Sequence, residues 1–375
     1  MKIIHIVPDI GEEANGVATV VNELSVNSIS KASQITIATI RTKHKHQGIN
    51  YYITKKINFL RSFDISFPLM FFTYRKLQEN CILHNHGLWS FINIAIALYP
   101  LKIRSKLIVS PHGTLSKWSM QHKRFRKKLF WQIQKLLLIR ADIIHVTSIE
   151  ELHEVRDLNI KTPIAVIPNG VRDFGRRTNV KSENTKEILF LSRLHPKKGL
   201  DNLISAWMRI ENQYPNWHLK ICGTGEPSYI LELKRKTHEM KSRRIHFLDP
   251  LYGAKKTSAY MNADVFILPT YSENFGMVIA EALMNECPVI VGKGAPWSKV
   301  AEVGCGWWIE NDIETISSTL IDAFSCSDAI RQSMGQKGRK WMKNDFDWNS
   351  ITHKMILSYE WLSGNTPKPD WIKLR

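Results

Sequence analysis

Cysteine is scarce in this 375-residue chain. The five present (Cys81, Cys222, Cys287, Cys305 and Cys326) are far apart, with no C-x-x-C and no adjoining histidine cluster. That argues against a disulfide framework and a thiolate zinc site, and it suits a reducing cytosol. Long apolar runs are missing too. No stretch of about twenty apolar residues exists to span a bilayer, and the opening MKIIHIVPD is too short an apolar core for a cleaved secretory leader. No G-x-G-x-x-G follows the first strand, which disfavours a nicotinamide enzyme. Repeats and low-complexity tracts are absent as well. One long region has no acid at all: residues 102–140 hold eleven Lys and Arg and no Asp or Glu. The net charge of +18 is accordingly uneven, with 26 Lys/Arg against 12 Asp/Glu in residues 1–180 and a surplus of only 4 in the rest. A basic first half beside a near-neutral second half calls for an anionic partner of the first.

What is present is a repeated alternation of short apolar runs and helical periodicity. Apolar residues make up 43% of the chain, enough for two α/β cores. Runs at 2–7, 34–40, 81–84, 107–110 and 142–147 have the character of buried parallel strands, and so do 187–191, 219–222, 245–248 and 264–269. The expected fold is α/β: two doubly wound, Rossmann-like domains facing a cleft. We place the first domain at 1–172, a polar linker at 173–186 (DFGRRTNVKSENTK) and the second domain at 187–340. Residues 341–375 form a helix and tail that cross back to the first domain.

The chemistry concentrates at strand ends, where an open α/β sheet binds its ligands. After the run 264–269 comes YSENFGMVIAEAL, with Glu273 in a loop and Glu281 one turn into a helix. Both carboxylates are placed to accept from hydroxyl groups, and the backbone N–H groups of Asn274, Phe275, Gly276 and Met277 open the helix toward an anion or a sugar oxygen. After 187–191 come Arg193 and Lys198, five apart, with Gly199 at a helix start; two cations at a strand end suit a diphosphate. Gly223 opens a second glycine loop (GTGEP), and DPLYG, with Leu251, closes a further strand. In the first half, Gly11 and Gly16 flank a strand-to-helix turn where backbone can approach a phosphate. His112-Gly113 ends another strand. His84 and His86 share one side of an extended chain; no third metal ligand is visible for them, and they are read as acceptor contacts. Together these features point to a nucleotide sugar.

The pair Glu273 and Glu281 around NFG resembles the E-x7-E element of family 4 glycosyltransferases, which have the GT-B fold. Arg193-x4-Lys198-Gly199 is similar to that family's second signature, and Gly16 and His112-Gly113 to its glycine loop and His-Gly element. The motifs fall in family order over nearly the whole chain. The resemblance implies a retaining hexosyltransferase of the kind used in bacterial cell-surface polysaccharide assembly, such as lipopolysaccharide O-antigen or capsule. Its donor is a UDP- or GDP-sugar, with no metal ion. It also implies roles. Arg193 and Lys198 neutralise the departing diphosphate, helped by the helix beginning at Gly16. Glu273 holds the sugar, Glu281 the ribose, residues near Leu251 the base, and His112 the sugar near the reacting carbon, while Gly223 is a further donor-binding residue.

Basic and apolar residues interleave at helical spacing in HKRFRKKLFWQIQKLLLIR. Residues 117–140 are therefore expected to lie on an anionic membrane surface, with Trp118, Phe125, Phe130 and Trp131 able to face lipid. The expected acceptor is a lipid-linked saccharide, and the expected location is cytoplasmic and peripheral on the inner face of the cell membrane. Two rivals are weaker. A nucleic-acid binder is suggested by the pI of about 9.6, but no recognition motif accompanies the charge. A sugar-nucleotide epimerase of the same fold would need no basic membrane face. Asp345-Phe346-Asp347 mimics a metal-binding D-x-D, but it lies near a helix start, where capping explains it.

Overall fold

The computed structural model describes residues 1–11, 16–43, 45–55, 64–98, 104–121, 124–175 and 185–374. Phe59, Phe63, Lys102, Lys123 and linker residues 176–184 lie outside the described residues, as do the side chains of Arg124, Phe125 and Arg126. The chain forms two compact units, residues 1–170 with 348–375, and residues 171–347.

In the first unit the strands are β1 (Lys2–Ile6), β2 (Asp9–Ile10), β3 (Gln34–Thr39), β4 (Arg41–Thr42), β5 (Asn50–Ile53), β6 (Ile82–His86), β7 (Lys106–Ser110), β8 (Ile143–Val146) and β9 (Ile164–Val166). The second unit has β10 (Lys186–Leu191), β11 (Trp217–Cys222), β12 (Ile245–Leu248), β13 (Val265–Leu268), β14 (Val289–Gly292) and β15 (Gly306–Ile309), and β16 (Ile372–Lys373) returns to the first. The main sheet of the first unit runs β5-β3-β1-β6-β7-β8-β9-β16. Its pairings are parallel except for β16 against β9. The sheet of the second unit is all parallel, in the order β12-β11-β10-β13-β14-β15.

Helices cover both faces of such sheets, so their strands are apolar without alternation. Val265, Phe266, Ile267 and Leu268 in β13 are all at 0% exposure. Helix Leu200–Ile210 buries Leu200, Leu203, Ile204, Trp207 and Ile210, an i, i+3, i+4, i+7, i+10 stripe laid on that sheet. In each sheet the order of winding reverses once: between β1 and β6 in the first, and between β10 and β13 in the second. These two reversals are where an open α/β sheet leaves a crevice. Helix Trp348–Leu362, near the end of the chain, packs in the first unit and brings Tyr359, fully buried, beneath its sheet.

Candidate active site

In the second unit the carboxyl ends of β12, β11, β10 and β13 stand side by side and carry Asp249, Gly223, Arg193 with Lys198, and Glu273 respectively. Two glycines allow the loops to close on one another. A Cβ on Gly199, whose φ is +75°, would stand 1.9 Å from the Pro269 carbonyl oxygen at the end of β13. A Cβ on Gly223 would stand 1.9 Å from that of Ser192 after β10. Any larger residue would push these strand ends apart.

Lys198, 8% exposed, makes an ion pair with Glu273 across the β10–β13 reversal. Burial alone would raise the Glu273 pKa, but the charge and hydrogen bond of Lys198, with Lys197 nearby, outweigh it and hold the carboxyl below its usual range. Arg193 is exposed and makes no ion pair among the described residues. The Glu273 loop is anchored by its N–H donating to Gly294 O at 2.7 Å. Asn274 Oδ1 is buried and has no partner among the described residues, an acceptor left open beside the pair. Gly276, at φ +82°, turns the chain into helix Met277–Met284. Phe275 points the other way, into the core against Trp297, whose indole N–H donates to its carbonyl. Of Phe275, only backbone remains to meet a ligand. Leu251 is half-buried and packs on the core.

Glu281 is not solitary. Tyr260 O–H donates to its Oε2 at 2.9 Å, and Lys256 Nζ lies 2.8 Å from Oε1 and 2.6 Å from Oε2. Tyr260 is fully buried, and burial followed by the Glu281 charge raises its pKa well above normal, so it remains a donor. Lys256 and Tyr260 occupy i and i+4 of helix Gly253–Asn262, and that spacing was their only trace in the sequence. At the carboxyl ends of β10, β11 and β12 a pocket of about 290 Å³ is lined by Leu194, Gly223, Thr224, Lys234, Phe247 and Asp249, among others.

The first unit gathers five imidazoles at and beside its own reversal, His5, His84, His86 and His145 buried and His112 half-buried. His5 on β1 faces His84 on β6 in register. His84 and His86 stack with ring centroids 4.1 Å apart, and His86 and His112 at 5.3 Å. The fold thus supplies His84 and His86 with the third imidazole that the local sequence did not show, and the ligand atoms of His5, His84 and His86 lie within 4.8 Å of one another. As acceptor contacts the two are poorly placed, because both are buried. Desolvation drives the pKa of His5 and His112 down to about 3 and that of His145 to about 4, and lowers His84 and His86 well below normal. All five are neutral near pH 7. His112 itself is half-buried at φ +53°, a left-handed conformation costly for a residue with a Cβ. The turn is held by Glu151, whose buried carboxylate accepts from Gly113 N–H at 2.7 Å and Thr147 N–H at 2.8 Å. Gly16 opens helix Gly16–Asn27, and a Cβ there would touch nothing within 4 Å, so no packing demand among the described residues explains the glycine.

Helix Arg124–Arg140 is only partly the outward face expected of it. Trp131 packs on the core and lies 6.2 Å from Trp89, and Lys127 donates to Ser119. Among its described side chains, Leu129 and Ile139 are the exposed large apolar ones. Among the described residues no helix is long and apolar enough to cross a membrane.

Two Rossmann-like units, each with its ligand crevice at the sheet reversal, define the GT-B fold. The sequence comparisons agree with it: residues 171–341 match the model of glycosyl transferases group 1, and residues 14–173 that of glycosyltransferase family 4. The chain is a glycosyltransferase of this group 1 and family 4 type. The sucrose-phosphate synthase of Thermosynechococcus elongatus superposes with a TM-score of 0.81 over 97% of this chain and 100% of that one, at 18% identity. A D-inositol 3-phosphate glycosyltransferase of Corynebacterium diphtheriae is 25% identical over 249 residues, covering 60% of this chain and 57% of that protein. A GDP-mannose-dependent monoacylated alpha-(1-6)-phosphatidylinositol monomannoside mannosyltransferase of Corynebacterium glutamicum is 28% identical over 276 residues, covering 67% and 69%.

Proposed function

We propose that the protein transfers a hexose-type sugar from a UDP- or GDP-sugar to a lipid-linked or saccharide acceptor, with retention of anomeric configuration, in lipopolysaccharide O-antigen or capsule synthesis. One observation carries this reading: Arg193, Lys198, Glu273 and the Gly223 loop meet at a single sheet reversal, with the open acceptor Asn274 Oδ1 beside the pair. Two cations there stabilise a departing diphosphate without a metal ion, as preorganised charge aimed at the leaving group. Glu273 accepts from sugar hydroxyls. Glu281, fixed by Lys256 and Tyr260, accepts from the ribose, and the pocket beside Phe247 and Asp249 takes the base. In the first unit His112 offers a neutral imidazole to a substrate hydroxyl. The bond from the anomeric carbon to the phosphate oxygen breaks, the acceptor oxygen bonds to that carbon on the same face, and the acceptor proton goes to the departing diphosphate.

The acceptor reading leans on lipid. Phe67, Phe71 and Tyr74 are exposed at i, i+4 and i+7 of helix Phe67–Leu77, in the same unit as the basic segment 117–140. Aromatic and basic side chains together suit an anionic leaflet, which would place the enzyme on the cytoplasmic side of the membrane. The mannosyltransferase of Corynebacterium glutamicum, by its name, acts on a phosphatidylinositol glycolipid. The test is transfer of labelled sugar from a panel of UDP- and GDP-sugars to lipid-linked saccharides, with the product's anomeric configuration read by NMR. An inverted product would refute retention, and transfer to soluble sugars alone would refute the lipid acceptor.

A further inference from the structure

The clustered imidazoles of the first unit form two separate hydrogen-bonded chains, and the direction of one is fixed by its end. His145 Nε2 lies 2.8 Å from the Ile167 carbonyl oxygen, which can only accept, so the proton of His145 is on Nε2 and its Nδ1 is bare. Ser110 O–H then donates to that Nδ1 at 2.8 Å, and Ser110 Oγ accepts from His84 Nε2–H at 2.7 Å. His84 Nδ1 is left to accept from Tyr359 O–H, also at 2.7 Å. Every atom of this chain is satisfied with neutral rings.

The second chain runs from the core to the candidate site. His5 Nδ1 lies 2.9 Å from His86 Nε2, and His86 Nδ1 lies 3.0 Å from His112 Nε2. Its inner end is His5 Nε2, buried with no partner among the described residues. If that nitrogen carried the proton, an N–H would be orphaned in the core. If it is bare, only an acceptor is orphaned, which proteins tolerate more readily. The second arrangement sends each proton outward. His5 Nδ1–H donates to His86, and His86 Nδ1–H donates to His112 Nε2. His112 must then carry its own proton on Nδ1.

We propose that His5 and His86 are positioning residues which hold His112 in the Nδ1–H tautomer, so that the enzyme meets substrate with a hydrogen-bond donor and not a general base. A donor of this kind suits a sugar hydroxyl oxygen. The role in transfer rests on the glycosyltransferase reading, but the tautomer does not. A cation held by His5, His84 and His86 is the competing use of the cluster. Against it, five of their six ring nitrogens already serve His86, His5, His112, Tyr359 and Ser110.

The experiment is long-range proton–nitrogen NMR on the full chain labelled with 15N-histidine at pH 7.5, with the His112 signals identified by their loss in His112→Gln. The expected spectrum shows His112 neutral, with its proton on Nδ1 and a bare Nε2. His5→Leu removes the inner donor, so His112 should relax to a tautomer mixture and kcat/KM should fall about tenfold, the worth of one hydrogen bond. His5→Asn, whose side-chain N–H can take the place of Nδ1–H, should restore both. An Nε2–H or doubly protonated His112 in the wild type would overturn the proposal, and so would a tautomer indifferent to His5→Leu. Zinc shifting His5, His84 and His86 together would overturn it in favour of a metal site. If the tautomer is as expected but no sugar donor is used, the glycosyltransferase reading fails and the positioning chain stands.

Discussion

Lys198 and Glu273, 75 positions apart in sequence, form an ion pair across the β10–β13 reversal, with only 10% and 17% of their side chains exposed. Removing one partner leaves the other charge buried, which costs on the order of 3–5 kcal/mol in stability. Lys198→Ala or Glu273→Ala should therefore lower the melting temperature as well as abolish transfer. The double variant Lys198→Met/Glu273→Gln should recover most of the stability and none of the activity. Loss of one charge-assisted contact to a diphosphate is worth about a hundredfold in rate or more. If the double variant turned over like the wild type, neither residue would serve the chemistry.

Tyr260→Phe deletes the O–H that holds Glu281 Oε2 and leaves the ring in the core. The expected result is a KM for nucleotide sugar raised about fivefold, with kcat little changed, in line with one lost hydrogen bond near 1 kcal/mol. An unchanged KM would mean that Glu281 does not hold the donor.

The strand runs and helix periodicity were legible because parallel strands buried on both faces read as unbroken apolar stretches, as in Val265–Leu268. Arg193, Lys198, Glu273 and Glu281 stood out because charge at a strand end has few structural uses. Their pairing did not. Nothing in the spacing tells that Lys198 reaches Glu273 or that Tyr260 tethers Glu281, because those contacts depend on strand order. His5 sits inside an ordinary apolar strand, and only the β1–β6 register brings it to His84 and His86. Likewise, amphipathic spacing could not show that Trp131 turns inward against Trp89.

Acid should weaken the fold. His5, His112 and His145 have folded-state pKa values of about 3, 3 and 4, against 6.5 when unfolded. Below pH 6.5 the unfolded chain therefore takes up protons that the folded chain refuses, and stability falls as pH drops toward 4. Between pH 7.5 and 5.5 each imidazole accounts for about 1.4 kcal/mol, about 4 kcal/mol for the three. Urea unfolding at the two pH values measures this directly. A midpoint that stays constant would show that the cluster is hydrated and free to protonate.

Flotation with vesicles tests the proposed membrane face. Binding should need anionic lipid, weaken at high salt and fall when Lys123, Arg124, Arg126 and Lys128 are changed to Gln, at about 1 kcal/mol for each charge engaged. Phe67→Ser/Phe71→Ser should weaken it further, since both rings are exposed. Equal recovery with neutral vesicles would exclude an electrostatic contact.

The most direct measurement is calorimetric titration of UDP, GDP and their sugars into the wild type and into Arg193→Ala, with EDTA present throughout. One nucleotide series should bind without metal, and Arg193→Ala should weaken the diphosphate at least tenfold, the worth of one charge-assisted hydrogen bond. Binding that appears only with added magnesium or manganese, or no binding by either series, would contradict a cationic diphosphate site at the β10–β13 reversal.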